Sequence, residues 1–148
     1  MKQEPYLVGS ILFGADEEIA AYVAKKIGRR QPFEKFTALG VVRRGVPVGG
    51  IVYHNYQDWG CIEVSLAFDS PLWCTPQTLR GLFAYPFIGL RCVRMTAVVA
   101  RRNKRSRRLV KGLGFKEEGV ARRGYDGRDD AVGYGLLRGE CRFIKDKT

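Results

Sequence analysis

The chain has 148 residues, 45% of them hydrophobic, so it is the size of one ordinary domain and can bury a real core. No stretch approaches the roughly 18 consecutive apolar residues of a membrane-spanning helix. The four cysteines lie too far apart for a paired metal or redox motif. We therefore expect a single domain over residues 1–148 that is soluble and cytoplasmic, with reduced cysteines, no membrane contact and no metal.

The formal net charge is +11, and most of it lies in the last third of the chain. Residues 1–100 carry 11 basic and 8 acidic side chains, whereas residues 101–148 carry 15 and 7. Such a surplus favours an anionic partner, which can be nucleic acid, an acidic protein or a small polyphosphate. Charge alone does not choose among these three.

The first half of the chain predicts one helix and three strands. The helix runs from Asp16, a candidate N-cap, to Gly28, and its apolar residues recur at helical spacing. The strands are predicted at 36–42, 46–56 and 61–69. In the third strand two carboxylates and a hydroxyl share one face, namely Glu63, Asp69 and Ser65.

The second half predicts a further helix and three more strands. Thr75, an N-cap residue before a proline, begins a helix that ends or bends near Pro86. The apolar, β-branched run at 92–100 predicts a strand covered on both faces. The last two strands are predicted at 117–125 and 130–143. This order of elements is typical of a mixed α/β layer fold.

The basic stretch RRNKRSRRLVKGLGF, at 101–115, predicts a capped amphipathic helix rather than a disordered arm. Asn103 stands in N-cap position, and Gly112 or Gly114 ends the helix. A helical wheel places four basic residues on the outer face: Lys104, Arg107, Arg108 and Lys111. The inner face consists of Ser106, Leu109, Val110 and Leu113.

The first turn of this helix carries Lys104, Arg105 and Arg107, whose positive charges oppose the helix macrodipole. A polyphosphate bound at the helix N-terminus would offset them, because free N–H groups and basic side chains would then act together. Screening by solvent and counterions is the alternative explanation. The charge pattern leaves both open.

An ordered set of short motifs occupies residues 85–140. It consists of Tyr85-x-Phe87 at a helix end, a buried strand, Asn103 with Ser106, Leu113-Gly114-Phe115, Glu118-Gly119, Asp130, and a tail from Tyr134 to Glu140. This order resembles the GNAT superfamily of acyl-CoA N-acyltransferases, especially the ribosomal-protein N-terminal acetyltransferase branch. It is also similar to small acetyltransferase-like proteins encoded by bacterial viruses. The N-terminal half agrees with the family mainly in the order of its elements.

The resemblance implies a largely antiparallel central sheet flanked by helices, in which two central strands splay apart, here 61–69 and 92–100. The pantetheine arm of acetyl-CoA is expected in the cleft between them. Its pyrophosphate is expected at the helix that begins at Thr75. The implied activity is direct transfer of an acetyl group, within a ternary complex, from acetyl-CoA to a primary amine of a protein N-terminus, a lysine or a small molecule.

The resemblance also implies roles for single residues. Glu63 is the first candidate for the base that deprotonates the amine, and Asp69 is the second. Ser106 is expected to stand near the CoA sulfur and to protonate the leaving thiolate, while Asn103 hydrogen-bonds the CoA arm. The other expected CoA contacts are Thr75, Gln77, Arg80, Val98, Arg101, Arg102 and Arg107.

Structural explanations compete with these roles. Glu63 can be an ordinary exposed strand glutamate, and the Ser106 hydroxyl can bond to a helix carbonyl. Asp130 either supports the site or holds a cationic substrate. His54, the only histidine, is expected to be structural, since the sequence pairs it with no cysteine nucleophile.

Two features depart from the family pattern. The segment DSPLWCTPQ at 69–77 contains no glycine, and Trp73 stands where phosphate would approach the backbone of the pyrophosphate loop. Val110 occupies the place of a tyrosine acid, which makes Ser106 its natural substitute. The alternative function is therefore a catalytically degenerate module that binds nucleic acid or an acidic protein. For the enzyme, the basic surface favours an acidic macromolecular acceptor over a polyamine, and strand edges that often pair make a homodimer an expectation.

Overall fold

The computed structural model describes residues 4–69 and 75–144. Eight strands form one mixed sheet in the order β1-β2-β3-β4-β5-β6-β8-β7. The strands are β1 Tyr6–Val8, β2 Ile11–Phe13, β3 Thr37–Arg43, β4 Val46–Gln57, β5 Cys61–Phe68, β6 Arg94–Ala100, β7 Lys116–Ala121 and β8 Ala131–Leu137. The helices are α1 Asp16–Ile27, α2 Pro76–Ala84 and α3 Lys104–Gly112. The predicted mixed, largely antiparallel sheet flanked by helices is confirmed.

The sheet is covered on both faces. On one face α1 packs small side chains closely against the strands, with Val23 and Ala20 meeting Val52 and Ala67 in a buried cluster. The larger core lies on the other face, beneath α2 and α3. There the Tyr53 hydroxyl donates a 2.5 Å hydrogen bond to the Leu82 carbonyl and ties α2 to β4.

The alternation predicted for β5 decides which of its residues can serve a site. Ile62, Val64, Leu66 and Phe68 enter the larger core. Ala67 belongs to the α1 cluster instead, so the intervening residues of β5 point to the face that α1 covers. The polar face of this strand therefore lies beside the C-terminal end of α1.

The pairing between β5 and β6 stops halfway along both strands. The two strands run parallel, and their register extends only from Cys61↔Arg94 to Val64↔Ala97. Beyond that point β5 continues to Phe68 and β6 to Ala100 without pairing to each other. The splay that the resemblance implied is therefore present, and it opens a cleft in the middle of the sheet.

Two features near the N-terminus differ from the sequence prediction. The hairpin of β1 and β2 was not predicted, because each strand is only three residues long. Ala15, not Asp16, is the N-cap of α1, and the Asp16 carboxylate accepts a 3.1 Å hydrogen bond from the Ala38 amide of β3. As predicted, α2 ends near Pro86: its last residue is Ala84, and a π-helical segment, Tyr85–Gly89, follows.

The two closing strands are shorter than predicted. β7 ends at Ala121 and β8 begins at Ala131, so residues 122–130 form a long connection rather than a tight turn. β8 ends at Leu137, where a 3₁₀ turn follows. Within residues 4–69 and 75–144, no helix is long and apolar enough to cross a membrane.

A glycine in β4 provides a test of this packing. A Cβ at Gly49 would overlap the aromatic ring of Phe68 on the neighbouring strand. We expect Gly49→Ala to lower the free energy of unfolding by about 1–3 kcal/mol, as overpacking does. The control is Gly112→Ala at the end of α3, where an added Cβ meets nothing within 4 Å. Urea denaturation measures both variants, and equal stability of the two would contradict the described packing of Phe68.

Candidate active site

The cleft between β5 and β6 is lined by residues from five parts of the chain. β5 contributes Ser65, β6 contributes Val98, and α3 contributes Asn103 and Ser106. Ile27 reaches the cleft from the end of α1, and Tyr125 from the long connection between β7 and β8. The cleft therefore brings together residues that lie far apart in the sequence.

The first turn of α3 is organised by its cap. The side-chain oxygen of Asn103 accepts a 3.1 Å hydrogen bond from the Ser106 amide, which confirms Asn103 as the N-cap. The cap fixes Ser106 on the cleft side of the helix, where its side chain is half-buried. Val110, one turn further on, is fully buried and also lines the cleft.

Arg107 does not belong to the exposed outer face that the helical wheel predicted. Its guanidinium donates to the Tyr134 hydroxyl at 3.1 Å and to the Arg101 carbonyl at 3.0 Å, and it lies 3.4 Å from Glu117. Tyr134 is fully buried. Arg107 thus fastens α3 to the sheet, so its expected contact with CoA is not supported by its position.

Arg105 crosses from α3 to the end of β5. One guanidinium nitrogen donates to the carbonyls of Phe68 and Asp69, both at 2.9 Å. Arg105 and Arg107 therefore find acceptors within the chain. Lys104, also in the first turn, is exposed, so the unfavourable charge at the helix N-terminus is offset only in part.

Three further predicted CoA contacts lie on α2 or at its N-cap, and a fourth lies on β6. Thr75 caps α2 by accepting a 3.1 Å hydrogen bond from the Thr78 amide, and Gln77 and Arg80 are exposed on the same helix. Val98 lines the cleft itself. The loop that contains Trp73 lies outside the described residues.

Arg101 and Arg102 hold the long connection between β7 and β8. Arg101 lies 3.4 Å from Asp130, and Arg102 lies 3.1 Å from Asp129. Asp130 also accepts a 2.9 Å hydrogen bond from the Arg123 amide, which holds the pKa of its carboxyl below the usual range. Asp130 therefore shapes this connection, which presents Tyr125 to the cleft.

A buried polar cluster lies on the α1 side of β5. His54 and Glu63 are register partners on β4 and β5. The His54 Nε2 atom lies 3.0 Å from the Ser65 hydroxyl and 3.8 Å from a carboxylate oxygen of Glu63. His54 was expected to be structural, but it contacts both polar residues that face the cleft region.

Burial sets the protonation states in this cluster. Burial, assisted by the nearby positive charge of Arg29, lowers the pKa of His54 to about 4, so the ring is neutral near pH 7. Burial also raises the pKa of Glu63, against smaller opposing effects of Asn55 and Arg29. Glu63 is thus a better proton acceptor than an exposed glutamate would be.

Asp69, the second candidate base, lies far from this cluster. It follows Glu63 by six residues on an extended strand, which corresponds to roughly 20 Å. It is exposed and forms a 2.9 Å ion pair with Lys26. The hydrogen bond from Lys26 holds the pKa of Asp69 below its usual range. Its position therefore does not support a role as base.

A second opening adjoins the first on the α1 side of the sheet. It is lined by the segment that follows α1, by Glu63, and by residues of the connection between β7 and β8. The two openings share Ser65, Val98 and Tyr125. Sequence reasoning missed Tyr125, because the predicted strand 117–125 placed it in a sheet. Within the described part of the chain, no cluster of three or more His, Cys, Asp or Glu side chains could hold a metal ion.

Comparison with known proteins supports the fold. No family model matches the sequence, and no curated protein matches it. The structure is similar to the acetyltransferase (GNAT family) from Bacillus anthracis, with 17% identity and a TM-score of 0.61 over 90% of this chain and 98% of that chain. It is similar to a GCN5-related N-acetyltransferase from Brucella melitensis, with 19% identity and a TM-score of 0.64 over 95% and 82%.

A variant of the spermidine N-acetyltransferase from Vibrio cholerae matches with 18% identity and a TM-score of 0.58, over 70% of this chain and 65% of that chain. At these identities the likeness establishes the fold. The chain therefore has the fold of the GNAT acetyltransferases, as the sequence predicted.

The buried histidine makes stability depend on pH. An unfolded histidine takes up a proton near pH 6.5, whereas His54 in the folded state resists protonation until about pH 4. The contribution of the neutral His54 ring to the free energy of unfolding is complete above pH 6.5 and is lost as the pH falls towards 4. Between pH 7.5 and 5 we expect the wild type to lose about 2 kcal/mol more than His54→Gln does. Urea denaturation at both pH values measures this, and parallel losses would contradict the buried neutral ring.

Proposed function

We propose that this protein is an N-acetyltransferase that transfers an acetyl group directly from acetyl-CoA to a primary amine within a ternary complex. The observation that carries the proposal is the interrupted pairing of β5 and β6, which opens a cleft through the sheet. Ser106 lies at this cleft, and Glu63 lines the opening that adjoins it. The likeness to three acetyltransferase structures supports the same class of reaction.

The cleft suits the acyl donor chemically. The backbone groups that face the cleft from residues 65–67 and 98–100 have no partner in the adjacent strand, and buried backbone groups need one. The pantetheine arm carries amides that can pair with them. The exposed basic residues of α2 and α3, Arg80 and Lys104, can hold its phosphates in this proposal. When bound, acetyl-CoA supplies the activated acetyl thioester.

Arg105 lies across the end of β5, so the cleft is not an open channel at this point. Its guanidinium donates hydrogen bonds to the backbone carbonyls at the end of β5. Those carbonyls lie immediately before the glycine-free segment 70–74, which is outside the described residues. Arg105 also brings a positive charge to the place where the phosphates would enter. It can therefore contribute to phosphate binding where the family uses glycine-rich backbone.

Glu63 performs the first proton transfer in this proposal. A lysine-type ammonium has a pKa of about 10.4 and must lose a proton before it can attack. The Glu63 carboxylate lines the α1-side opening and accepts this proton, directly or through water. Neutral His54 leaves the carboxylate without a cation in contact, which keeps its proton affinity high.

Ser106 performs the second proton transfer at the opposite side of the cleft. The cap of Asn103 holds the backbone amide of Ser106 in the first turn of α3, and the Ser106 hydroxyl donates a proton to the leaving thiolate. Cleft-facing backbone N–H groups of β6 can stabilise the developing oxyanion. Tyr125 narrows the junction between the two openings and limits access of water.

Titration with acetyl-CoA tests the proposal. Calorimetry is expected to show binding in the micromolar range, and Asn103→Ala should weaken it while lowering stability by about 1 kcal/mol through loss of the helix cap. The control is Ala21→Gly on the exposed side of α1, which costs a similar stability but leaves the cleft intact. No binding at millimolar acetyl-CoA would sink the proposal. Salt-dependent binding of an oligonucleotide would then favour the basic binding module.

The two proton-transfer residues should fail differently in steady-state kinetics. We expect Glu63→Gln to lower kcat by about 10²–10³ and to abolish the acidic limb of its pH profile. Ser106→Ala should lower kcat by about a hundredfold while leaving that limb and acetyl-CoA affinity in place.

Asp69→Asn is the matched control for Glu63→Gln, since it removes a carboxylate from the same strand outside the polar cluster. It should stay within about threefold of wild type, because its exposed ion pair contributes little. If Asp69→Asn loses the acidic limb and Glu63→Gln keeps it, the assignment of the base is reversed.

A further inference from the structure

The α1-side opening has a cationic wall and a polar floor. The wall is formed by Arg29 and Arg30, which directly follow α1, and the floor is formed by Glu63 and Ser65. Gly28, in the left-handed conformation with φ of 71°, ends the helix and turns the chain towards β5. The helix end thus places two guanidinium groups beside Glu63, the residue proposed as the base.

Arg29 is held in a defined position. Its guanidinium lies 4.2 Å from the centre of the Phe33 ring, and its Nε atom donates a 2.9 Å hydrogen bond to the Gln31 carbonyl. Phe33 in turn packs edge-on against His54 at 4.9 Å. Stacking leaves the outer N–H groups of the guanidinium available for a planar anion. Arg29 is therefore oriented before any ligand arrives.

Neither arginine forms an ion pair with the part of the chain that the structure describes. Within residues 4–69 and 75–144, no carboxylate lies within 4.0 Å of Arg29 or Arg30. Asp126 lines the same opening, but its Oδ1 atom accepts hydrogen bonds from the amides of Arg128 and Asp129 at 2.9 and 2.7 Å. A half-buried guanidinium without a counterion is a favourable site for an anionic group.

We infer that the acceptor is an amine that also carries a carboxylate a few bonds from its nitrogen, with the carboxylate bound by Arg29 and Arg30 and the amine facing Glu63. This inference rests on the proposed acetyl transfer and names its substrate class. The two opposite charges of such a molecule match the cationic wall and the anionic floor of the opening. A polyamine would meet two uncompensated cations at the entrance.

Two matched pairs of acceptors test the inference and distinguish a free amino acid from a peptide N-terminus as the substrate. The small-molecule pair is 4-aminobutyrate and 4-aminobutanamide, and the peptide pair is a tripeptide beginning Ala-Glu and one beginning Ala-Gln. We expect the carboxylate member of at least one pair to show a kcat/KM about tenfold higher than its amide. The pair with the larger ratio identifies a free amino acid or a peptide N-terminus as the source.

Two variants test whether Arg29 and Arg30 cause the preference for the carboxylate acceptors. Arg30→Glu reverses an exposed charge, and Arg29→Gln removes the stacked one, so the pair covers the case in which either variant folds poorly. Each should bring the carboxylate-to-amide ratio close to one. The control, Arg44→Glu, makes the same charge reversal in the exposed turn before β4, at the opposite end of that strand from His54. It should keep the ratio, because salt screens distant surface charges.

Equal rates for both members of each pair, or a ratio that survives in both variants, would overturn the inference and leave the acetyltransferase standing. Absence of acetylation with every amine would instead overturn the proposed function. In that case NMR titration of the same pairs decides the inference. If the carboxylate members bind more tightly and Arg30→Glu abolishes this difference, anion recognition by Arg29 and Arg30 is upheld. Equal binding of both members of each pair would overturn the inference.

Discussion

The end of hydrogen bonding between β5 and β6 is the constraint on which the rest of the structure depends. Two parallel strands that separate after Val64 and Ala97 leave backbone groups that no neighbouring strand can satisfy. The fold tolerates this because β6 remains paired to β8 along its whole length, and β5 remains paired to β4. The cleft is thus held open by two intact half-sheets.

Each side of the cleft is then served by a different helix end. α3 begins beyond β6, and its cap fixes Ser106 at the cleft, while Arg105 and Arg107 anchor the same turn to β5 and β8. α1 ends near the polar face of β5 and delivers Arg29. The two helix ends therefore lie on opposite layers of one sheet. In the proposed reaction this arrangement lets the donor and the acceptor enter from different sides.

Burial sets the protonation states of the side chains in the α1-side opening. His54, Ser65 and Glu63 lie between the sheet and the segment after α1, so desolvation disfavours both a charged imidazole and a charged carboxylate. Burial lowers the pKa of His54 and raises the pKa of Glu63, and both shifts favour the neutral form of the side chain. A neutral histidine thus lies beside a carboxylate whose pKa is raised despite the opposing charge of Arg29, and in the proposed reaction this carboxylate accepts the proton.

The sequence by itself determined the features that depend on neighbours a few residues away. The caps at Thr75 and Asn103, the stop at Gly28 and the alternation of β5 were readable because capping and side-chain periodicity are local. The tertiary structure alone decided the inward contacts of Arg107, the different surroundings of Asp69 and Glu63, and the place of His54 and Tyr125. These depend on contacts between distant segments, which strand register and packing settle and which no local pattern records.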